Sequence, residues 1–322
     1  MPFSNILVRA TNWVGDAVMC VPALQALRER FPAARITILA KPWVAGLYAR
    51  EPFADEVIPY TQGYWATARA LRERRFDAAL LLQNAFEAAL IAWLARIPVR
   101  IGYNRDARRL LLTRAVPVPA VGDIPRHQRF YYLELLRRAG LIDRMPDSDA
   151  IRLTRPEVAV RPMVGVSPGA AYGSAKRWLP ERFAEAASRV AAAHNAGIAL
   201  FGSASERAVC DQIAALLPGR EVVNYAGRTT LGEFIDLAAA CEVFLTNDSG
   251  AMHIASALGV PTVAVFGATD HDATGPTGPL ARIVREPVEC SPCLLRECPI
   301  DHRCMTRVGA ARVAEEALKL IE

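Results

Sequence analysis

Lysine is scarce in this chain. Only three of the 38 basic residues are lysines, at positions 41, 176 and 319, and the others are arginines. A GC-rich genome accounts for arginine in bulk. A lysine that nevertheless stands in a loop is therefore informative, because its compact ammonium group interacts with anions differently from a planar guanidinium.

Long hydrophobic segments are also missing. The longest apolar stretch in the first half, residues 88–99, is interrupted by Arg96 and is too short to cross a bilayer. Residues 1–10 lack the basic start and long apolar run of a signal peptide. We therefore expect a cytoplasmic protein.

The dinucleotide fingerprint is absent. The loop after the first predicted strand reads TNWVGD, and glycines 165, 169 and 173 are spaced by four residues, so neither region has the Gly-x-Gly-x-x-Gly pattern. This weighs against an NAD- or FAD-dependent oxidoreductase.

Charge is distributed unevenly along the chain. Residues 1–155 carry 23 Lys and Arg against 14 Asp and Glu, whereas residues 156–322 carry 15 against 19. A basic first half suggests an anionic partner, such as nucleic acid, an acidic membrane surface or a phosphorylated substrate. The interleaved aromatic and basic residues of a single-strand binder are not evident, so we expect no nucleic acid partner.

Short apolar strands alternate with amphipathic helices throughout, which predicts an α/β protein with two doubly wound parallel sheets. The first half has predicted strands at 5–9, 36–40, 56–60, 78–83 and 100–103, with helices such as 23–30 and 64–74. The second has strands at 163–167, 198–201, 222–225, 243–246, 262–266 and 282–285, with helices at 180–194, 206–217, 231–240 and 251–258.

The proline-containing polar segment 143–162 is the predicted linker. The predicted domains are therefore residues 1–155 and residues 163–305, each a Rossmann-like domain. Residues 306–322 form a final helix, for which packing back on the first domain is one expectation.

Ligands of such sheets bind at the carboxyl ends of the strands, where loops and helix N-termini converge. In the first loop, Asn12, Trp13 and Asp16 are the candidates, with Gly15 permitting an unusual backbone angle or a close approach. Asp16 is either a general base or a helix N-cap. Trp13 either offers a stacking surface to substrate or fills the core.

Three loops of the second half contain small polar residues. Ser167, Gly169 and Lys176 suit a diphosphate, although a solvated lysine would look the same. Ser203 and Glu206 follow the next strand, where the carboxylate either accepts ribose hydroxyls or favours the helix dipole.

The segment TNDSGAMHIASALG is the most specific signal. A strand ends before Asp248 and Ser249, and a helix begins near Gly250, which leaves space for an anion at the helix N-terminus. His253 lies one turn after Ser249 and can donate to a phosphate or sugar hydroxyl, or be a satisfied buried histidine.

Four of the seven cysteines lie close together near the C-terminus, at positions 290, 293, 298 and 304. Their C-x₂-C-x₄-C-x₅-C spacing is compatible with a structural zinc site, with free thiols, or with disulfides, the last being disfavoured in a cytosolic protein.

The motifs NWVGD, PGAAYGSAKRW, FGS and TNDSGAMHIASALG, in this order, resemble the ADP-heptose:lipopolysaccharide heptosyltransferases of glycosyltransferase family 9. The first loop looks most like that of heptosyltransferase II. The resemblance covers nearly the whole chain and implies the GT-B fold, with two Rossmann-like domains facing across a cleft.

The resemblance also implies roles for the matching residues. Asp16 matches the family's general base, Lys176 its phosphate-contacting lysine, and Glu206 a carboxylate near the adenosine ribose. The donor-binding loop is matched by Asp248, Ser249, Gly250 and His253, and donor contacts extend to Ser167, Gly169 and Ser203. Asn12 and Trp13 fall on the acceptor side.

The reaction implied is inverting transfer of heptose from ADP-L-glycero-β-D-manno-heptose to heptosyl-Kdo-lipid A, in lipopolysaccharide biosynthesis. No cofactor or catalytic metal is expected. The anionic lipid acceptor implies peripheral contact with the cytoplasmic face of the inner membrane. The alternatives are a family 9 enzyme with another sugar or acceptor, a sugar-nucleotide epimerase of similar fold, and a nucleotide-sugar-binding module without turnover.

Overall fold

The computed structural model describes residues 3–147 and 150–322. The chain divides into two compact units, Met1–Ser148 and Asp149–Glu322. This boundary falls inside the predicted linker, of which Ser148 and Asp149 lie outside the described residues. None of the helices in the described part of the chain is both long and apolar enough to span a membrane.

The first unit is built on a six-stranded parallel sheet with strand order β3-β2-β1-β4-β5-β6. Its strands are β1 (Asn5–Arg9), β2 (Arg35–Ala40), β3 (Glu56–Pro59), β4 (Ala78–Leu81), β5 (Val99–Tyr103) and β6 (Arg114–Val116). Its helices are α1 (Val14–Met19), α2 (Val21–Arg30), α3 (Pro42–Tyr48), α4 (Tyr64–Glu73), α5 (Phe86–Leu94) and α6 (Arg129–Arg138).

The second unit repeats this topology, with strand order β12-β11-β10-β7-β8-β9 and all pairs parallel. Its strands are β7 (Arg161–Ser167), β8 (Gly197–Leu200), β9 (Val222–Asn224), β10 (Cys241–Asn247), β11 (Thr262–Phe266) and β12 (Ala281–Arg285). Its helices are α7 (Pro180–His194), α8 (Arg207–Ala215), α9 (Leu231–Ala240), α10 (Gly250–Ala257), α11 (His271–Thr274), α12 (Arg303–Thr306) and α13 (Ala310–Ile321).

The predicted fold class is confirmed, and the predicted strands match observed ones to within two residues. The central strands are buried on both faces, as in β1 and β11, and a strand covered by helices on both sides has an almost continuous apolar sequence. The edge strand β6 was missed because it has only three residues and begins with the exposed Arg114.

The C-terminal helix α13 packs on the sheet of its own unit. Val313, Ala314 and Ala317 are buried in the core that α7 and strands β10 and β11 also form. A helix has one apolar stripe, and this stripe is used here. The structure therefore shows that this helix belongs to the core of the second unit, while packing on the first domain stays a prediction.

Candidate active site

The predicted donor-site residues of the second unit gather at one edge of its sheet. The chain order reverses between β7 and β10, which lie side by side with Ser167 opposite Thr246. In open α/β sheets, this switch point is where the carboxyl ends of the strands leave a crevice for a ligand. The loops after β7 and β10 both begin here.

An ion pair joins these two loops. The Lys176 ammonium donates to Asp248 Oδ2 at 2.6 Å, and the two side chains are only 13% and 5% exposed. Thr269, in the loop after β11, donates its hydroxyl to the same oxygen at 2.5 Å. Lys176 also lies 4.9 Å from the ring centroid of Tyr172. The interpretation of Lys176 as a freely solvated lysine is therefore wrong.

Asn247 fixes the backbone on either side of this pair. Its Oδ1 accepts from the Trp178 backbone N–H at 3.0 Å, and its Nδ2 donates to the Pro168 carbonyl at 2.7 Å. All three groups are buried, or nearly so, and an unpaired buried amide is costly. Asn247 therefore holds both ends of the loop that carries Lys176.

Helix α10 starts immediately after Asp248. Ser249 is its N-cap, with Oγ accepting from the Met252 N–H at 3.4 Å, and Gly250 is its first residue. His253, one turn further, is only 4% exposed. The predicted placement of Ser249 and His253 on one helix is confirmed, whereas contact of His253 with a ligand stays a prediction.

Glu206 lies in the short helical turn after β8, the strand next to β7 in the sheet. Its Oε2 accepts from the backbone N–H and hydroxyl of Ser203 at 2.8 and 2.9 Å, which forms a capping box. The same carboxylate lies over Gly169, where a Cβ atom would come within 1.9 Å of Oε1. A side chain at Gly169 would therefore displace the Glu206 carboxylate from this position.

The segment that contains the C-terminal cysteines, residues 290–304, forms hydrogen bonds with the loop that carries Lys176. The Arg296 carbonyl accepts from the Ala175 N–H at 3.0 Å and leaves no room for a side chain at Gly173. The Tyr172 hydroxyl donates to the Leu294 carbonyl at 2.7 Å. This segment is therefore part of the scaffold of the candidate site.

The cysteines themselves do not form the expected zinc site. Among the described residues, no group of three or more His, Cys, Asp or Glu side chains is arranged to hold a metal ion. Cys290, Cys293, Cys298 and Cys304 are all free thiols, which also excludes the disulfide interpretation for them. Burial, together with the charges of the other three thiols, raises the pKa of Cys304 to about 11, so this thiol stays protonated.

In the first unit, Asp16 lies in the first turn of α1, at the carboxyl end of β1. The N-cap is Trp13, so the interpretation of Asp16 as an N-cap is wrong. Gly15 is inside the helix and needs no unusual backbone angle. The buried Tyr132 of α6 donates its hydroxyl to Asp16 Oδ1 at 3.2 Å.

Exposed aromatic rings lie beside Asp16. Trp13 is 59% exposed, so it does not fill the core, and Trp43 is 58% exposed and donates its indole N–H to the Asn12 carbonyl at 2.8 Å. The Lys41 ammonium lies 5.8 Å from the Trp43 ring centroid and 4.1 Å from that of Tyr60. Two indoles and a cation thus line the carboxyl ends of β1 and β2.

Comparison with known proteins gives this arrangement a family. Residues 64–303 match the profile of "Glycosyltransferase family 9 (heptosyltransferase)". The chain belongs to glycosyltransferase family 9. It is 33% identical over 316 residues to the lipopolysaccharide heptosyltransferase 2 of Salmonella typhimurium. This alignment covers 87% of this chain and 88% of that relative.

Solved structures agree with this assignment. The Escherichia coli ADP-heptose lipopolysaccharide heptosyltransferase II superposes with a TM-score of 0.85 at 32% identity, covering 98% of both chains. A family 9 glycosyltransferase of Veillonella parvula has a TM-score of 0.84 at 20% identity, which shows a shared fold. The family resemblance predicted from the motifs is therefore confirmed.

Several residues of the site were not found from the sequence. Thr269 and Lys41 follow strand ends, so the rule that selected the other loops could have found them. Asn247 stands inside the recognised TNDSG motif, but its hydrogen bonds join residues far apart in the chain. Tyr132 is 116 residues from Asp16, and no local pattern reveals their contact.

The Asn247 hydrogen bonds predict a stability effect. Replacement Asn247→Ala leaves the Pro168 carbonyl and the Trp178 N–H unpaired, and each such group costs about 1–3 kcal/mol. We expect the free energy of unfolding of the second unit to fall by roughly 2–4 kcal/mol in urea titrations. The exposed Asn104 is the matched control, and Asn104→Ala should change stability by less than about 0.5 kcal/mol. Equal effects of the two substitutions would contradict the role of Asn247.

Proposed function

We propose that this family 9 protein transfers heptose from ADP-heptose to the inner core of lipopolysaccharide. The observation that carries the proposal is the partly buried Lys176–Asp248 pair at the β7–β10 switch point, beside the start of α10. It stands in a chain one third identical to proteins named lipopolysaccharide heptosyltransferase 2.

The second unit would bind the donor. The Lys176 ammonium has three N–H donors, of which Asp248 takes one, so the others can meet a diphosphate. Gly250 and the first turn of α10 add a helix N-terminus, which favours anions. The Glu206 carboxylate, held by Ser203 over Gly169, would accept hydroxyls of the adenosine ribose, while Ser167 and His253 line the same edge.

Asp16 would act as the general base. It takes the proton from the acceptor hydroxyl while the hydroxyl oxygen forms a bond to the anomeric carbon of heptose. The bond from that carbon to the diphosphate oxygen breaks on the opposite face, so the configuration inverts and ADP leaves. Lys176 and the start of α10 would stabilise the negative charge that grows on the diphosphate.

The acceptor side would lie in the first unit. Asn12 and Trp13 flank Asp16, and the neighbouring Trp43 and Lys41 extend this surface with an apolar ring and a positive charge. A phosphorylated, carboxylate-bearing acceptor such as heptosyl-Kdo-lipid A fits the excess of basic residues in this half of the chain. We also propose peripheral contact with the inner membrane, because the acceptor is a lipid.

Incubation with ADP-L-glycero-β-D-manno-heptose tests the reaction directly. With lipopolysaccharide core truncated after the first heptose, we expect release of ADP and an acceptor heavier by one heptose, detected by mass spectrometry. Without acceptor, ADP release should be much slower. Conversion of the donor sugar without acceptor would indicate an epimerase, and donor binding without any turnover would indicate a binding module.

Asp16→Asn tests the general base. We expect turnover to fall by about 10²–10⁴-fold, because the amide cannot accept the proton. Affinity for ADP should stay the same, since donor binding is assigned to the second unit. Calorimetry with ADP and initial rates with both substrates measure the two effects. A variant with nearly normal turnover would remove Asp16 from this role.

Lys176→Ala tests the donor site. The variant loses the cation and leaves the Asp248 carboxylate facing the incoming diphosphate, so we expect the Kd for ADP to rise roughly 10–100-fold, or about 1.4–2.8 kcal/mol. Lys319 of α13 is the matched control, because its exposed ammonium pairs with Glu316. Lys319→Ala should leave the Kd unchanged in the same calorimetric titration. An unchanged Kd in Lys176→Ala would contradict the donor assignment.

A further inference from the structure

The environment of Asp16 contains a side chain that no catalytic assignment includes. Tyr132 lies on α6, far from the first loop in sequence, and its hydroxyl reaches Asp16 Oδ1. The ring is buried, and the adjacent Tyr131 of the same helix packs edge-on against it with centroids 5.7 Å apart. The phenol therefore has a fixed position.

The hydroxyl of Tyr132 is also fixed as a donor. Burial, with the charge of Asp16 adding to it, raises the pKa of Tyr132 well above its ordinary value. The phenol thus keeps its proton across the working pH range. Since a carboxylate can only accept, the hydrogen bond always runs from Tyr132 to Asp16.

Two other titratable groups close to this pair, Cys20 and Tyr48, are neutral too. Cys20, one turn after Asp16, has a pKa raised to about 12 by burial, and its thiol contacts the Tyr48 hydroxyl of α3 at 3.3 Å. Burial also raises the pKa of Tyr48 well above its ordinary value. The side chain of Gln128, the N-cap of α6, also forms a hydrogen bond with the Tyr132 hydroxyl. This pocket of protonated groups responds little to pH between 6 and 9, a range in which Asp16 must stay ionised to act as a base.

We propose that Tyr132 is a positioning residue for Asp16: its hydroxyl holds the carboxylate in the orientation and ionisation state needed to take the acceptor proton. A hydrogen bond to a carboxylate favours the charged form. It also restricts the rotamers of Asp16, because it fixes one oxygen of a short side chain relative to the buried Tyr132 ring. This inference rests on the proposed role of Asp16.

Tyr132→Phe tests the inference, since it removes one oxygen and keeps the ring. We expect kcat to fall roughly tenfold while the KM for ADP-heptose stays unchanged. A base is inactive when protonated, so activity is lost as pH falls. Without the hydrogen bond the acidic limb of the kcat/KM profile should move to higher pH, by about one unit.

Tyr103→Phe is the matched control. Tyr103 is equally buried, and its hydroxyl donates to the Tyr131 carbonyl at 2.7 Å instead of to Asp16. Loss of this hydroxyl should lower stability without moving the acidic limb. A limb that moves equally in both variants would overturn the inference, because a general loosening of the unit would then explain it.

Two further measurements keep the test decisive. A ring-fluorinated tyrosine at position 132 has a more acidic hydroxyl, which is a stronger hydrogen-bond donor. With this residue the acidic limb of the kcat/KM profile should therefore move to lower pH. The same variant tests the inference if Tyr132→Phe folds poorly. In an Asp16→Asn background, Tyr132→Phe should cause little further loss, since the two residues act as one unit.

The outcomes separate the inference from the function on which it rests. If Asp16→Asn keeps its turnover, both the base assignment and the role of Tyr132 are overturned. If Asp16→Asn is inactive but neither tyrosine variant moves the acidic limb, Asp16 remains the base and only the positioning role of Tyr132 is overturned.

Discussion

The second unit depends on a single electrostatic constraint, the ion pair of Lys176 and Asp248. Removing two charges from water costs several kcal/mol per ion, which their attraction offsets only when geometry is good and further hydrogen bonds complete the site. Here Thr269 supplies such a bond and the ring of Tyr172 faces the ammonium. The pair therefore fixes a cation at the switch point before any ligand arrives, which is the preorganisation that charge stabilisation requires.

The loops that carry this pair have little regular structure and are held by other segments. Asn247 bonds both ends of the Lys176 loop, and the carbonyls of Leu294 and Arg296 hold its middle. The cysteine-rich segment shows no metal-binding arrangement among the described residues. It contributes to the candidate site mainly through its backbone carbonyls, which accept hydrogen bonds from the Lys176 loop. This contact also explains Gly173, where any side chain would meet the Arg296 carbonyl.

Sequence reasoning succeeded where one short segment contains both the structural signal and the chemistry. Asp248 directly follows β10, and Lys176 lies in the loop after the neighbouring strand β7, so the parallel sheet of the second unit brings both residues to one edge. Asp16 lies in the first helix after β1, at the corresponding edge of the first sheet. Sequence reasoning failed where the decisive contact joins distant segments, as with Tyr132 and Asp16, or where one side chain has two compatible roles. Glu206 is such a case: it forms a capping box and also lies over Gly169, and the sequence pattern cannot distinguish a helix cap from a ligand contact. The cysteine spacing was compatible with a zinc site, but spacing alone does not specify the three-dimensional arrangement of the thiols, and no metal-holding group is found among the described residues.

In the proposed mechanism, Asp16 and Asp248 have different tasks, and their contacts fit those tasks. The Asp248 carboxylate pairs with the Lys176 ammonium at 2.6 Å, so it holds in place the cation that would face the diphosphate. Asp16 accepts a hydrogen bond from the Tyr132 phenol, which orients one carboxylate oxygen without adding a charge. The two sheets share one topology, and the proposed mechanism gives their switch points different tasks: proton acceptance at Asp16 in the first unit, and stabilisation of the leaving diphosphate by Lys176 in the second.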